Sequence, residues 1–161
     1  MKSARQKWLG FAGLALWLGM SPGCLTRSLE AQFPYAIDFT SYQANWGAFA
    51  PGDDITITAV RRDRPHLEAG GRYLVMGICT LISANRAKLG LSVTVPRDSP
   101  GMFTLIDKSQ NADVEAGTHD FALMMTMEFP GAPHVTMRPD DGGAAGTIYF
   151  RETESHAKAG K

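Results

Sequence analysis

The sequence predicts an all-β protein: an immunoglobulin-like antiparallel β-sandwich of seven to eight strands, placed after an N-terminal signal peptide. Three observations predict it. Apolar residues recur with a period of two through most of the chain, and glycine, proline and aspartate collect between those runs. After residue 23 no stretch carries a helical stripe of apolar residues.

The chain opens on Lys2, Arg5 and Lys7, followed by about a dozen uncharged, mostly apolar residues from Trp8 to Met20. This is the pattern of a secretory signal, and its core is too short to cross ~30 Å of hydrocarbon as a helix. Ser21 and Gly23 are small residues at the positions a signal peptidase reads. The same stretch, "SPGC", resembles the lipobox of bacterial lipoproteins, whose cysteine becomes the lipidated first residue, although Ser21 and Pro22 depart from the usual Leu and Ala or Ser. Residues 1–23 are therefore read as a signal peptide, Cys24 as a lipidation site and residues 24–32 as a flexible tether. Residues 33–151 are read as the β domain and 152–161 as a disordered tail. The partner this implies is a membrane, reached through a lipid anchor on Cys24.

Charge excludes one class of partner. The chain has sixteen basic and sixteen acidic residues, and cleavage before Cys24 removes three bases and no acids, leaving a net charge near −3. That balance offers no electrostatic footprint for nucleic acid. "RRDR" at Arg61 to Arg64 is interrupted by Asp63 and reads as a solvated loop.

The strands are expected at 34–40, 54–61, 72–83, 87–95, 101–107, 118–129 and 146–151, with 133–138 as an eighth. "DITITAV" sets Ile55, Ile57 and Ala59 against Thr56, Thr58 and Val60. "KLGLSVTV" sets Leu89, Leu91, Val93 and Val95 against Lys88, Gly90, Ser92 and Thr94. Phe121, Leu123, Met125, Met127 and Phe129 share one face of the run that follows His119, with Met124 on the other. "SANRAK" is expected to form a single helical turn between two strands. "HLEAGGRYLV" and "DVEAGTHDFAL" repeat one turn chemistry before a strand, with Gly70 and Gly117 supplying positive φ.

Cys79 lies in "GRYLVMGICTLIS", with Val75, Gly77 and Leu81 on its face of the strand and no His or Lys near it in sequence. A reactive thiol needs a group that lowers its pKa. Cys79 is read as a small apolar core residue, a role free cysteine fills well.

Candidate chemistry is sparse. His119 and His134, with Asp120, Asp140 and Asp141, are imidazole and carboxylate donors in the C-terminal third, and they are the candidate metal ligands of a hydrolase. Their convergence depends on topology, and the His-x-His spacing that aims two ligands at one face is missing. No Gly-x-Ser-x-Gly occurs, and the serines stand in turns or on polar strand faces. Asp53-Asp54 and Asp140-Asp141 are neighbours in sequence, which on a strand point to opposite faces. Tyr42, Trp46 and Phe49 in "SYQANWGAF" are the candidate platform for a glycan or peptide, or else close one end of the core.

The stretches "GDDITITAVR", "GGRYLVMGICTLISANRAKLGLSVT", "FPGAPHVTM" and "GTIYF" resemble a family of uncharacterised extracytoplasmic β domains of planctomycete-type bacteria. The resemblance runs over about 100 residues from Gly52 onward. It implies a β-sandwich and transfers no catalytic residue. The expected protein is an exported, membrane-tethered interaction or structural module, without cofactor or enzymatic activity, whose partner is a protein or a glycan. The alternatives are a metal-dependent hydrolase on His119 and His134 and a binding domain on Tyr42, Trp46 and Phe49.

Overall fold

A computed structural model describes residues 31–44, 47–66, 68–95 and 110–153. The signal peptide, Cys24, nearly all of the tether, Trp46, the strand expected at 101–107 and the tail beyond Thr153 lie outside the described residues. The described chain is all-β and antiparallel, with seven strands: β1 (Tyr35–Ala36), β2 (Phe39–Gln43), β3 (Asp54–Arg62), β4 (Arg72–Thr94), β5 (Asn111–Thr126), β6 (Ala132–Pro139) and β7 (Gly146–Glu152). They form one sheet in the order β1-β3-β4-β6-β7-β2, with β5 paired on the other edge of β4.

The length of β4 forces that sheet to curl. Its 23 residues would reach ~75 Å if straight. Yet Arg72 at its start pairs with Thr126, Thr94 at its end pairs with Ala132, and only residues 127–131 separate those two partners. Such a connection spans at most ~20 Å, so β4 must double back. The corner lies between Leu81 and Arg86, where residues 82–85 of β4 stand against Ala116 alone of β5. Gly117, at φ 121°, takes up the bend on β5.

Asp53, immediately before β3, holds the corner. It is buried, and its carboxylate accepts from the backbone N–H of Ile82 (2.7 Å) and Ser83 (2.9 Å) and from the Ser83 hydroxyl (2.5 Å). "SANRAK" is consequently part of a bent strand, and the two strands expected at 72–83 and 87–95 are one. A helical turn there would need amides that the Asp53 carboxylate and the β5 and β6 ladders already engage.

The curl closes through the chain ends of the sheet. The segment expected as one strand at 34–40 changes partner between its halves. The Ile37 N–H donates to Val60 O (2.9 Å), whereas Asp38 O accepts from the Thr153 N–H (2.8 Å). One side of the break thus belongs to β3 and the other to β7. Arg62 on β3 and Glu152 on β7 are joined by a 3.0 Å ion pair. On the opposite flank Gln110 meets Met124 through both its amide N–H and its side-chain oxygen (3.3 and 2.7 Å), tying the two ends of β5 together.

Both halves of β4 feed one core. Tyr73, Val75, Cys79 and Leu81 from the first half meet Ala87, Leu89 and Leu91 from the second, with Leu123, Met125, Val135, Met137 and Phe150 from their neighbours. The period-two assignments hold in β4 and, from Phe121 to Met127, along β5 and just past its end, Met124 included; Phe129 lies beyond the strand and is not buried. In β3 they hold only to Ile57. A bulge between Ile57 and Ala59 reverses the faces, so Val60 is buried and Ala59 is not. The same reversal turns Arg62 inward, and "RRDR" is half strand rather than a solvated loop. Strand β5 begins at Asn111, seven residues before the expected start at 118, because the far half of β4 pairs with it beyond the corner.

Cys79 is fully buried, its thiol donating weakly to His119 O at 3.6 Å. Burial pushes its pKa up, outweighing that hydrogen bond. Gly70 (φ 81°) makes the expected left-handed turn before β4. Tyr73 seals this turn: its hydroxyl accepts from the Glu68 N–H (2.8 Å) and donates to the Glu68 carbonyl (3.0 Å).

Candidate functional site

The face of β2, β7, β6 and the second half of β4 turned away from the core carries a continuous row of polar and aromatic side chains, exposed at Tyr42, buried at Tyr149 and half-buried at His134 and Ser92. Tyr42 pairs with Tyr149, Tyr149 with His134, and His134 with Ser92. Four strands at ~4.8 Å spacing make this row ~14 Å long. Alternation explains it locally. Leu91 and Val93, Val135, and Ile148 and Phe150 take the inward positions of their strands, so their neighbours must face out.

The row is knitted together. The rings of Tyr42 and Tyr149 stack at 5.5 Å, and Tyr149 lies 4.8 Å from the His134 ring. Tyr42 remains exposed and carries the Arg151 guanidinium 5.7 Å from its ring centre, a cation–π distance. Thr94 Oγ1 reaches Tyr149 Oη at 3.3 Å.

His134 has a definite protonation pattern. Its Nδ1 lies 3.2 Å from the Ala132 carbonyl, which can only accept, so Nδ1 carries the proton. Nε2 is then the acceptor, and the Ser92 hydroxyl donates to it at 2.9 Å. Burial lowers the His134 pKa below the ordinary 6.5, against the opposing pull of the Ala132 carbonyl. The ring is a neutral base at physiological pH.

A hydroxyl on the free nitrogen of an oriented imidazole is the arrangement of an activated nucleophile. Acyl transfer also needs convergent N–H donors for the oxyanion. Here Ser92 and His134 sit opposite each other inside the β4–β6 ladder, and β6 is also paired with β7, so the ladders engage the neighbouring backbone amides. The pair is held as a fixed donor–acceptor unit within the sheet.

Next to this row a groove of about 330 Å³ opens along β4 and β6. Gly90 and Leu91 form its floor, Ser92, His134 and Thr136 line one end and side, and Asn111 stands on the β5 side. Lys88 and Arg138, register partners on adjacent strands, form the other end. Lys88 Nζ is 4.0 Å from Asp113, at the outer limit of an ion pair between two exposed groups. Thr136 is hydrogen-bonded to Thr147 at 3.0 Å.

The sequence-derived candidates are dispersed. Phe49 packs against the core, close on Gly146, while Tyr42 stands on the outer face, so these two do not form a common platform. His119 and His134 do not meet. His119 pairs with Cys79 and bonds Glu115 O at 3.0 Å, on the first half of β4, whereas His134 pairs with Ser92 on the second. Among the described residues no group of three His, Cys, Asp or Glu side chains converges as a metal site. Asp53 and Asp54 point to opposite faces as expected, one buried and one exposed. Ser92, Tyr149, Asn111 and the Lys88–Arg138 pair were not singled out by sequence. Alternation assigns Lys88 and Ser92 an outward face, but the assembly depends on strand registers that link residues as far apart as Tyr42 and Tyr149.

Comparison with protein families, curated proteins and solved structures finds no match for this chain.

Proposed function

We propose that this chain is an exported interaction module, tethered to a membrane through a lipid on Cys24, that binds its ligand on the Tyr42–Ser92 row. In this reading the curled sheet is a two-layered, immunoglobulin-like sandwich of the planctomycete-type extracytoplasmic kind. Its support is that β4 and β5 each contribute one half to either side of a shared core. One observation carries the functional reading: a single outer face joins an exposed aromatic ring, an oriented Ser–His pair and a groove with two cations at its end. Among the described residues the other exposed large apolar side chains are Tyr35, Ile78 and Ile82.

Glycan and peptide arrays probed with the mature chain test this reading. A bound class is expected whose signal is lost in the Tyr42→Ala and Ser92→Ala variants. Binding unaffected by both substitutions, or no binding to either array, overturns it.

A further inference from the structure

Building on the reading that this face binds, we infer that its ligand is an acidic oligosaccharide, with sugar hydroxyls crossing the Tyr42–Ser92 row and a carboxylate held between Lys88 and Arg138. Three features of the face select this class. First, the face is a lattice of hydrogen-bonding groups rather than of apolar pockets. Ser92, Thr94 and Thr136, none of them buried, offer hydroxyls that both donate and accept, which matches a polyhydroxylated chain. Second, the exposed part of the Tyr42 ring, with the Arg151 guanidinium over it, gives an aromatic surface beside a cation against which a sugar ring packs. Third, the charge at the groove is positive. Lys88 and Arg138 lie directly opposite each other, Arg151 lies over Tyr42, and Asp113 is the one carboxylate in register with them.

The dimensions require an oligomer. Tyr42 and Lys88 are separated by three strand spacings across the sheet and by two side-chain repeats along it, ~20 Å in all. A single sugar cannot touch both ends. Gly90 lies in register between Asn111 and Thr136, and its missing side chain lets the Asn111 carboxamide oxygen reach over the strand, 2.7 Å from where a Cβ would stand, as a polar group on the groove. An extended peptide would instead seek a free strand edge for its backbone bonds, and this face presents paired strands.

Titration calorimetry with three probes tests the inference: an oligogalacturonate, a neutral oligomaltoside of the same length, and oligoglutamate. Oligogalacturonate is expected to bind, more weakly as salt rises. Lys88→Ala and Arg138→Ala should each weaken it roughly tenfold, the loss of about one charge-assisted hydrogen bond. Asp113→Asn should tighten it, and Tyr42→Ala should weaken it without changing the salt dependence. Equal binding of the oligomaltoside overturns the acidic character, and equal or tighter binding of oligoglutamate overturns the sugar. If an array ligand requires Tyr42 and Ser92 while oligogalacturonate does not bind, the ligand class falls and the binding face stands. Thermal unfolding of each variant, expected to match the parent, separates lost contacts from lost structure.

Discussion

Asp53 and His134 show how single residues are committed by the fold. Burial raises the Asp53 pKa, and the hydrogen bonds from the Ser83 hydroxyl and the Ile82 and Ser83 amides overcome that, leaving it below the ordinary 3.8. Removing the carboxylate orphans two backbone donors at the corner of β4. Asp53→Ala should therefore cost on the order of 3 kcal/mol of stability, whereas the exposed neighbour Asp54→Ala should cost little. Chemical denaturation measures the difference, and similar losses at both positions would show that the corner does not depend on Asp53.

The two groups also separate in pH. His134 is held below its ordinary 6.5, so on acidification the unfolded chain takes up that proton first. Its effect is a stability that is whole above about 6.5 and falls as pH drops toward the lower folded value. The carboxylate of Asp53 contributes above its ordinary 3.8 and is lost only as pH falls through its depressed folded value. Denaturation midpoints should fall between about pH 7.5 and 5.5 in the parent. His134→Asn should remove part of that fall and leave the later acid loss in place.

Among the strands, β4 bears most of the architecture, because it meets β3, β5 and β6 and supplies both sides of the core. Leu91 is fully buried on its second half, and Lys88 is exposed on the outer face. Truncating a buried leucine costs ~2–5 kcal/mol. Leu91→Ala should depress the melting temperature by many degrees while Lys88→Ala leaves it nearly unchanged. Equal shifts in calorimetry would contradict the register of β4.

For the molecule as a whole, the prediction concerns attachment. No helix among the described residues is long and apolar enough to cross a membrane. If Cys24 carries acyl chains, the full-length product should sediment with membranes, and Cys24→Ala should release it or block processing. Incorporation of a fatty-acid analogue into the parent and not the variant is the expected result. An unlabelled parent, released after cleavage before Cys24, would make the domain an ordinary secreted one.

Strand content, the inward set of β4 and β5, the left-handed glycines Gly70 and Gly117 and the core role of Cys79 could all be read from the sequence. These depend on local stereochemistry and a period of two, both written into neighbouring residues. The reversal at Val60 escaped, because a bulge adds one residue without a sequence mark. The continuity of β4 through "SANRAK" escaped as well, since it depends on Asp53, some thirty residues earlier. The candidate site shows the same division. The outward faces of Lys88, Ser92 and Thr94 were legible, but the joining of Ser92 to His134, Tyr149 and Tyr42 was decided by tertiary structure. Antiparallel register between distant strands is set by the packing of the opposite, buried face, so the polar row is where it is because Leu91, Val135 and Phe150 had to meet on the other side.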